Sequence, residues 1–357
     1  MAGLTEPIPR LPQIRPAAAA DAAGVAEVHV RTWQSAYRGI VPDSYLDALS
    51  IADREESWAR ILAAGSGTVV AEVEGVVWGF ASSGPASDQD ASPETGQVYA
   101  LYVDPEWQGH GIGQMLFVHA LEALAREGFV EATLWVLEEN APSRGFYEAA
   151  AMEADGGRKA LEFAGEETVE VRYRRRLAPI PGPRTSARTS LVVVVDYDEA
   201  WPALFEREQA AIGEAAPGLV VEHVGSTSVP GLAAKPIIDL QAGARTFDEA
   251  CEAVVPLREI GWEYVGEVGI PGRLYFRKQE GGHRTHNLHL VVEGGRGWRQ
   301  TIRFRDYLRA HPDAAAEYGR LKRDLAASDP KDVAAYTHRK SPFIRAPLAL
   351  AEAEDAR

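Results

Sequence analysis

The sequence contains a single cysteine, Cys251, among 357 residues. A lone thiol excludes an internal disulfide framework and a zinc site built from several cysteines. No apolar run reaches the roughly 18–20 residues that a membrane-spanning helix requires. Residues 1–13 carry three prolines and lack the apolar core of a signal peptide, so we expect a disordered tail there. These absences favour a protein of the reducing cytoplasm.

Charge is spread unevenly along the chain. Residues 1–178 contain 14 basic and 27 acidic residues, whereas residues 270–345 contain 16 basic and 8 acidic residues. An acidic region disfavours nucleic acid and tolerates cationic substrates, and a basic region suits a phosphorylated ligand. Solvated faces that serve only solubility are the alternative explanation of both patterns. We therefore expect neither a membrane nor a nucleic acid as a partner.

The length of the chain predicts two domains, and the composition places the boundary between them. Residues 178–190 contain three prolines and several small polar residues, which cannot sustain a helix or a central strand. We expect a first domain at 14–177, a proline-rich linker at 178–190, a second domain at 191–348 and a tail at 349–357.

Hydrophobic periodicity predicts an α/β first domain whose sheet is mostly antiparallel. Its expected helices are 21–37, 53–64, 111–127 and 142–150, and its expected strands are 68–73, 76–82, 97–103, 132–137 and 169–173. The second domain is also predicted to be α/β. Its expected strands are 191–195, 220–224, 237–241, 274–277 and 287–292, and its expected helices are 201–214, 247–260, 298–310 and 313–326.

A glycine-rich turn follows one of these strands and leads directly into a helix. The segment 98–114 reads VYALYVDPEWQGHGIGQ, with glycines at positions 109, 111 and 113. Glycine lets a ligand approach the backbone, and the free N–H groups at the positive end of the helix dipole attract anions. A pyrophosphate is the natural ligand for such a turn.

The spacing Gln108-x-x-Gly111-x-Gly113 resembles the cofactor loop of the GNAT superfamily of N-acetyltransferases, and the resemblance covers about residues 14–177. Asn140 follows the next strand, and Tyr147 lies on the helix after it, in the order usual for that family. The resemblance implies a GNAT fold and acetyl-CoA as cofactor. It also implies transfer of acetyl to an amine of a small molecule, such as a cationic metabolite or an antibiotic.

The resemblance also assigns roles to individual residues. Tyr147 matches the tyrosine that protonates the departing thiolate, a role suited to a phenol with a pKa near 10. Asn140 would contact the pantetheine arm. The family's usual glycine after this tyrosine helix is replaced within Ala149–Met152. The implied cofactor-binding residues are Leu101, Tyr102, Val103, Gln108, Gly109, His110, Gly111, Ile112, Gly113, Asn140 and Arg144.

Acceptor choice depends on other residues. Trp33 and Tyr37 lie one helical turn apart in a segment that resembles the acceptor-covering region of the superfamily. They are expected either to line an acceptor slot or to belong to the core. The general base is left open: Glu72, Glu138 and Asp104 are candidates, and a water relay from more distant groups is the alternative.

The second domain contains a different informative run. Residues 225–231, GSTSVPG, and residues 235–239, KPIID, resemble the GrpB-like family of the nucleotidyltransferase fold. The resemblance covers about residues 192–348 and implies a nucleotidyltransferase-like α/β domain with a pocket but no defined reaction. The residues expected around a phosphorylated ligand are Gly225, Ser226, Thr227, Lys235, Arg273, Arg277 and His286.

Active nucleotidyltransferases hold divalent metal with paired carboxylates, and Gln241 stands where the second carboxylate is expected. Asp239 and His289 could hold one metal ion, or they could form a buried hydrogen bond in an inactive scaffold. The further cofactors considered for this domain are thus a divalent metal and a nucleotide. The alternative function is a nucleotide-binding or nucleotidyltransferase protein whose acetyltransferase half is accessory or a sensor. A third possible function is that both domains form a binding scaffold.

Overall fold

The computed structural model describes residues 12–182, 192–328, 336, 339–340 and 343–344. These residues form two compact units. The first comprises the described residues up to Ile180 together with Glu267–Gly272, and the second comprises those from Pro181 to Gly266 and from Arg273 onward. Most of the expected tails and linker, namely residues 1–11, 183–190 and 349–357, lie outside the described residues.

The first unit has a seven-stranded sheet in the order β1-β2-β3-β4-β5-β7-β6. All neighbouring strands are antiparallel except β4 and β5, so the expected mostly antiparallel α/β fold is confirmed. The elements are β1 (Gln13–Pro16), α1 (Ala22–Ala36), α2 (Asp43–Asp47), α3 (Ile51–Ala63), β2 (Gly67–Val73), β3 (Val76–Pro85), β4 (Thr95–Val103), α4 (Ile112–Arg126), β5 (Glu131–Leu137), α5 (Ala141–Ala149), β6 (Glu153–Phe163) and β7 (Glu166–Arg176).

The parallel strands β4 and β5 separate along their length. They pair only where Thr95–Gln97 faces Glu131–Thr133. Immediately after this segment the register between β3 and β4 shifts, because Val98 and Ala100 face consecutive residues of β3 and Tyr99 is left extra. Such a bulge bends and twists its strand. The rest of β4 is therefore not paired with β5, and the sheet opens at its centre.

The second unit has a five-stranded sheet in the order β10-β11-β12-β9-β8, in which only β12 and β9 are parallel. Its elements are α6 (Trp201–Ala215), β8 (Val220–Val224), β9 (Ile238–Ala244), α7 (Phe247–Glu252), α8 (Val254–Glu259), β10 (Glu263–Gly266), β11 (Leu274–Glu280), β12 (His283–Val292), α9 (Arg296–Ala310) and α10 (Pro312–Ser328). No helix in the part of the chain that the structure describes is long and apolar enough to cross a membrane.

Several elements differ from the sequence-based expectation. The single helix expected at 247–260 is two helices that meet at Ala253, because Pro256 cannot donate a backbone hydrogen bond and its ring crowds the preceding turn. The strand expected at 191–195 is reduced, within the described residues, to one bridge between Val195 and Ala234. The edge strand β6 was not expected, because its mostly exposed, charged residues give no clear alternation.

Candidate functional site

The glycine turn before α4 has the backbone geometry of an anion site. Gly109 and Gly111 have φ values of +78° and +83°, a region that side chains rarely adopt. A Cβ at Gly109 would meet no atom within 4 Å, and one at Gly111 would meet only the Gln114 side chain at 3.9 Å. The turn is thus open, and it presents the unsatisfied N–H groups that begin a helix of 15 residues.

A cavity of about 750 Å³ extends from this turn into the gap between β4 and β5. Among its lining residues are the expected Leu101–Val103, Gln108, Gly109, Gly111 and Gly113, together with Asn140 and Tyr147. The side chain of Gln108 donates to the carbonyl of Val103 at 3.1 Å, which ties the turn to β4. The residues expected at one site therefore come together around one cavity.

Three of the expected cofactor-binding residues do not line the cavity. Ile112 is 1% exposed and packs in the core, so that it can contribute only through its backbone N–H. His110 is exposed and lies beside Trp107. The Arg144 guanidinium donates to the carbonyl of Glu138 at 3.1 Å and to the hydroxyl of Tyr173 at 3.0 Å, which is a structural arrangement.

Asn140 and Tyr147 are both positioned by helix α5. Asn140 caps this helix, because its Oδ1 accepts the backbone N–H of Ser143 at 3.2 Å. Tyr147 lies two turns further along and packs against Phe117 and Phe146, with ring centroids at 5.6 and 5.3 Å. Burial raises the pKa of Tyr147 above its ordinary value. The phenol therefore keeps its proton at neutral pH.

The other end of the cavity is aromatic and carries one carboxylate. Trp33 and Tyr37 line it and also pack against the small core cluster around Val41. Their role in acceptor binding stays a prediction. Glu170 on β7 lies among the same lining residues, of which it is the one carboxylate, and none of them is Lys, Arg or His. The Glu170 carboxylate pairs with Lys159 at 2.9 Å.

The three carboxylates considered as general bases are engaged elsewhere. Glu72 pairs with Arg15 at 2.7 Å, and Glu138 pairs with Arg158 at 2.6 Å. Asp104 caps the short turn after β4 by accepting the N–H of Glu106 at 3.0 Å, and it also pairs with Arg31. None of the three lines the cavity. Sequence reasoning missed Glu170, whose only signal is a carboxylate in the middle of the last predicted strand.

In the second unit, Gly225 lies against Asp239. Gly225 has a φ of +69°, and a Cβ at this position would lie 2.5 Å from Oδ2 of Asp239. Asp239 accepts a hydrogen bond from Asn287 at 2.8 Å, and burial raises the pKa of its carboxyl group. Of the hydroxyls after Gly225, Thr227 bonds to His223 and Ser228 donates to the carbonyl of Gly225. The hydroxyl of Ser226 and the backbone of the glycine turn are therefore the groups of this segment that best fit contact with a ligand.

This close approach makes a stability prediction. Gly225→Ala should lower the free energy of unfolding by about 1–3 kcal/mol, because the new methyl group meets the Asp239 carboxylate and the backbone is strained. Gly218→Ala is the matched control, since Gly218 also has positive φ but a Cβ there would meet no atom within 4 Å. Denaturant unfolding of both variants measures the difference. If both variants lose the same free energy of unfolding, the contact between residue 225 and Asp239 does not determine stability at this position.

The arrangement around Asp239 gives little support to the expected metal site. The cross-strand register puts His289 on the same face as Asp239, but the His289 ring stacks on that of Tyr275. Burial lowers the pKa of His289 to about 3, so its imidazole is neutral at neutral pH. Gln241 is 2% exposed and donates to the carbonyl of Trp298 at 3.2 Å. Among the described residues, no group of three or more His, Cys, Asp or Glu side chains could hold a metal ion.

The structure separates some of the expected phosphate ligands. His286 precedes Asn287 on β12, so strand alternation directs it to the opposite face, where its ring lies 6.2 Å from that of Trp262. Arg277 is held by Glu263 at 2.8 Å. Lys235 and Arg273 lie over the rings of Tyr336 and Tyr275, respectively. His286 is therefore removed from the expected ligand cluster.

A sheet that opens between two parallel strands, with a glycine turn at the start of the intervening helix, defines the first unit as a GNAT-type fold. The model of the Acetyltransferase (GNAT) family matches residues 29–152, and the model described as GrpB protein matches residues 191–349.

Three curated relatives agree with these matches. The UPF0157 protein YqkA of Bacillus subtilis is 30% identical over 250 residues, which cover 70% of this chain and 68% of the relative. The Glutamate-rich protein GrpB of Alkalihalophilus pseudofirmus is 35% identical, with coverage of 43% and 91%. The Uncharacterized N-acetyltransferase YuaI of Bacillus subtilis is 37% identical, with coverage of 44% and 89%. The chain belongs to the GNAT family of N-acetyltransferases through its first half and to the GrpB family through its second.

Proposed function

We propose that this N-acetyltransferase transfers acetyl from acetyl-CoA to an amine of a small cationic molecule, and that its second domain binds a phosphorylated ligand. The observation that supports the first part is one cavity of about 750 Å³, whose lining residues include the glycine turn before α4, several aromatic side chains and the carboxylate of Glu170.

The residues of the turn fit the proposed cofactor. The open space over Gly109 and Gly111 admits a pyrophosphate to the backbone N–H groups at the start of α4. The part of β4 that does not pair with β5, Leu101–Val103, faces the gap into which a pantetheine arm would extend. Acetyl-CoA supplies an activated acetyl thioester when bound. Backbone N–H groups of β4 would stabilise charge on the thioester carbonyl oxygen.

Tyr147 is the proposed general acid. Tyr147 lines the cavity, and its phenol is protonated at neutral pH, so it carries a proton for a leaving thiolate. Tyr37 and Tyr102 line the same cavity, and burial raises the pKa of both phenols, so the site holds neutral hydroxyls rather than phenolates.

Glu170 is the proposed anchor for the acceptor. Glu170 is the one carboxylate among the lining residues and pairs with Lys159 at 2.9 Å, so a positively charged acceptor would share this carboxylate with Lys159. Trp33, Tyr37 and Phe163 supply aromatic surface near it, and aromatic faces attract ammonium groups. The acceptor class is therefore a small amine with a cationic group and an apolar body. Mass spectrometry of amine libraries incubated with acetyl-CoA and the full chain would identify it.

The role of Glu170 makes a kinetic prediction. Glu170→Gln should raise the KM for a cationic amine about tenfold, because one charged hydrogen bond is lost, and should change the KM for acetyl-CoA little. Glu167→Gln is the matched control, since Glu167 lies exposed on the same strand and does not line the cavity. Steady-state kinetics with each variant tests this. An acceptor KM that stays at the wild-type value would remove Glu170 from the acceptor site.

For the second domain, the proposal rests on Gly225 and Lys235, which lie near Asp239, and on the excess of basic over acidic residues at 270–345. Ser226 follows Gly225 in the same turn. Conventional two-metal nucleotidyl transfer is the alternative activity. The burial of Gln241 and its bond to the Trp298 carbonyl argue against that alternative, because this side chain is occupied where a second carboxylate would be needed.

A further inference from the structure

Lysine is scarce in this chain and is gathered at one place. Of 37 basic residues only six are lysines: Lys159, Lys235, Lys278, Lys322, Lys331 and Lys340. Three of them, Lys235, Lys322 and Lys340, interact electrostatically with the same carboxylate, Asp239. We call these three residues the lysine cluster. Half of the lysines of a chain whose basic residues are mostly arginine therefore lie near one aspartate.

The lysine cluster is held against aromatic rings. Lys322 is 2% exposed, and its Nζ has no hydrogen-bond partner among the described residues. This Nζ lies 4.6 Å from the centroid of the Tyr318 ring. The Nζ atoms of Lys235 and Lys340 lie 5.3 and 4.5 Å from the ring of Tyr336. Ring faces offset part of the cost of burying an ammonium group, but they accept no conventional hydrogen bond.

The charges in the lysine cluster do not balance. The side chains of three lysines face one carboxylate, whereas the neighbouring Arg323 is paired with Asp196. Burial and mutual repulsion lower the pKa of Lys322 to about 7 and that of Lys340 to about 8, and burial also lowers the pKa of Lys235. A buried donor without a partner costs stability. An anion with at least two negative charges would restore the balance.

We propose that the lysine cluster binds a phosphate-bearing anion, with Lys322 as its deepest contact and the Gly225 turn beside it. This inference rests on the proposed ligand-binding function of the second domain and assigns its site. Ammonium groups are compact point charges with three donors each, which suits tetrahedral phosphate. Three of them around one carboxylate also repel a divalent cation, so binding should not require magnesium.

The test titrates the full chain with inorganic pyrophosphate in the absence of magnesium. A Gly111→Val background removes the contribution of the anion-binding turn in the first unit. Lys322→Met should weaken pyrophosphate binding about tenfold to a hundredfold, as expected for the loss of one charged contact. Lys278→Met is the matched control: it removes the same charge, but Lys278 pairs with Glu208 and does not contact Asp239.

A second measurement locates the site without any substitution in the lysine cluster. Brief acetic anhydride treatment of the wild-type chain, followed by mass spectrometry, reports the reactivity of each lysine. Pyrophosphate should protect the half-buried Lys235 and Lys340 and leave Lys159 and Lys278 unchanged. If Lys322→Met still binds pyrophosphate with wild-type affinity and pyrophosphate does not protect the lysine cluster, the assigned site is wrong. The proposal that the second domain binds phosphate would then still stand. No binding of pyrophosphate at millimolar concentration would overturn both.

Discussion

Replacing Tyr147 by phenylalanine should lower kcat about a hundredfold or more while leaving the affinity for acetyl-CoA nearly unchanged. The ring itself packs between Phe117 and Phe146, so phenylalanine preserves the packing and removes only the hydroxyl. Loss of a general acid typically costs a factor of 10²–10⁴. Because the hydroxyl acts on the leaving thiolate in the transition state, kcat and kcat/KM should fall together.

The measurement is a steady-state assay that detects free thiol, combined with calorimetry of acetyl-CoA binding. Tyr45→Phe serves as the control, since Tyr45 packs in the same domain beside Phe163 and is not among the cavity-lining residues. A Tyr147→Phe enzyme that folds and keeps the wild-type rate would assign the residue to packing alone. A rise in the acetyl-CoA dissociation constant at constant kcat would assign it to cofactor binding.

The cofactor turn was accessible to sequence reasoning because its residues are contiguous. Gln108, Gly111 and Gly113 lie within one short segment, and their spacing and place after a strand are visible without a fold. The α4 pattern is equally local, and Ile112, Leu116 and Leu124 are all buried. Roles of the individual residues stay predictions, whereas the fold and the family are confirmed.

Residues that depend on tertiary placement could not be assigned in this way. Glu170 reaches the cavity only because β7 pairs with β5, across the gap from β4. Lys322 gives no local signal, since a lysine on a helix of mixed composition is ordinarily solvated, and its burial follows from packing with Asp239 and Tyr318. His286 is different, because side chains alternate between the two faces of a strand. Its position next to Asn287 on β12 therefore predicts, from the sequence alone, that it points away from Asp239.

In both halves of the chain, ion pairs between residues distant in sequence also lie beyond what local motifs predict. In the first unit the expected carboxylate candidates are neutralised by arginine, whereas Glu170 pairs with the amine of Lys159 on the neighbouring strand. In the second unit the expected metal ligand Asp239 interacts with several lysine side chains. Local sequence motifs identified each family, but the charge balance that selects a ligand arises only when distant side chains are packed together.

Gly111→Val should abolish acetyl-CoA binding, with no heat of binding at millimolar cofactor. Gly111 has a φ of +83° and is the residue that precedes the first turn of α4, so a β-branched side chain strains the backbone and fills the space over the N–H groups. Gly75→Val is the matched control, because Gly75 has a φ of +84° in the β2–β3 turn and a Cβ there would meet no atom within 4 Å. Calorimetry on both full-length variants, with circular dichroism to verify folding, separates backbone strain from the loss of the site. Gly75→Val should retain wild-type affinity, and a folded Gly111→Val chain that still bound acetyl-CoA would show that this turn does not hold the pyrophosphate.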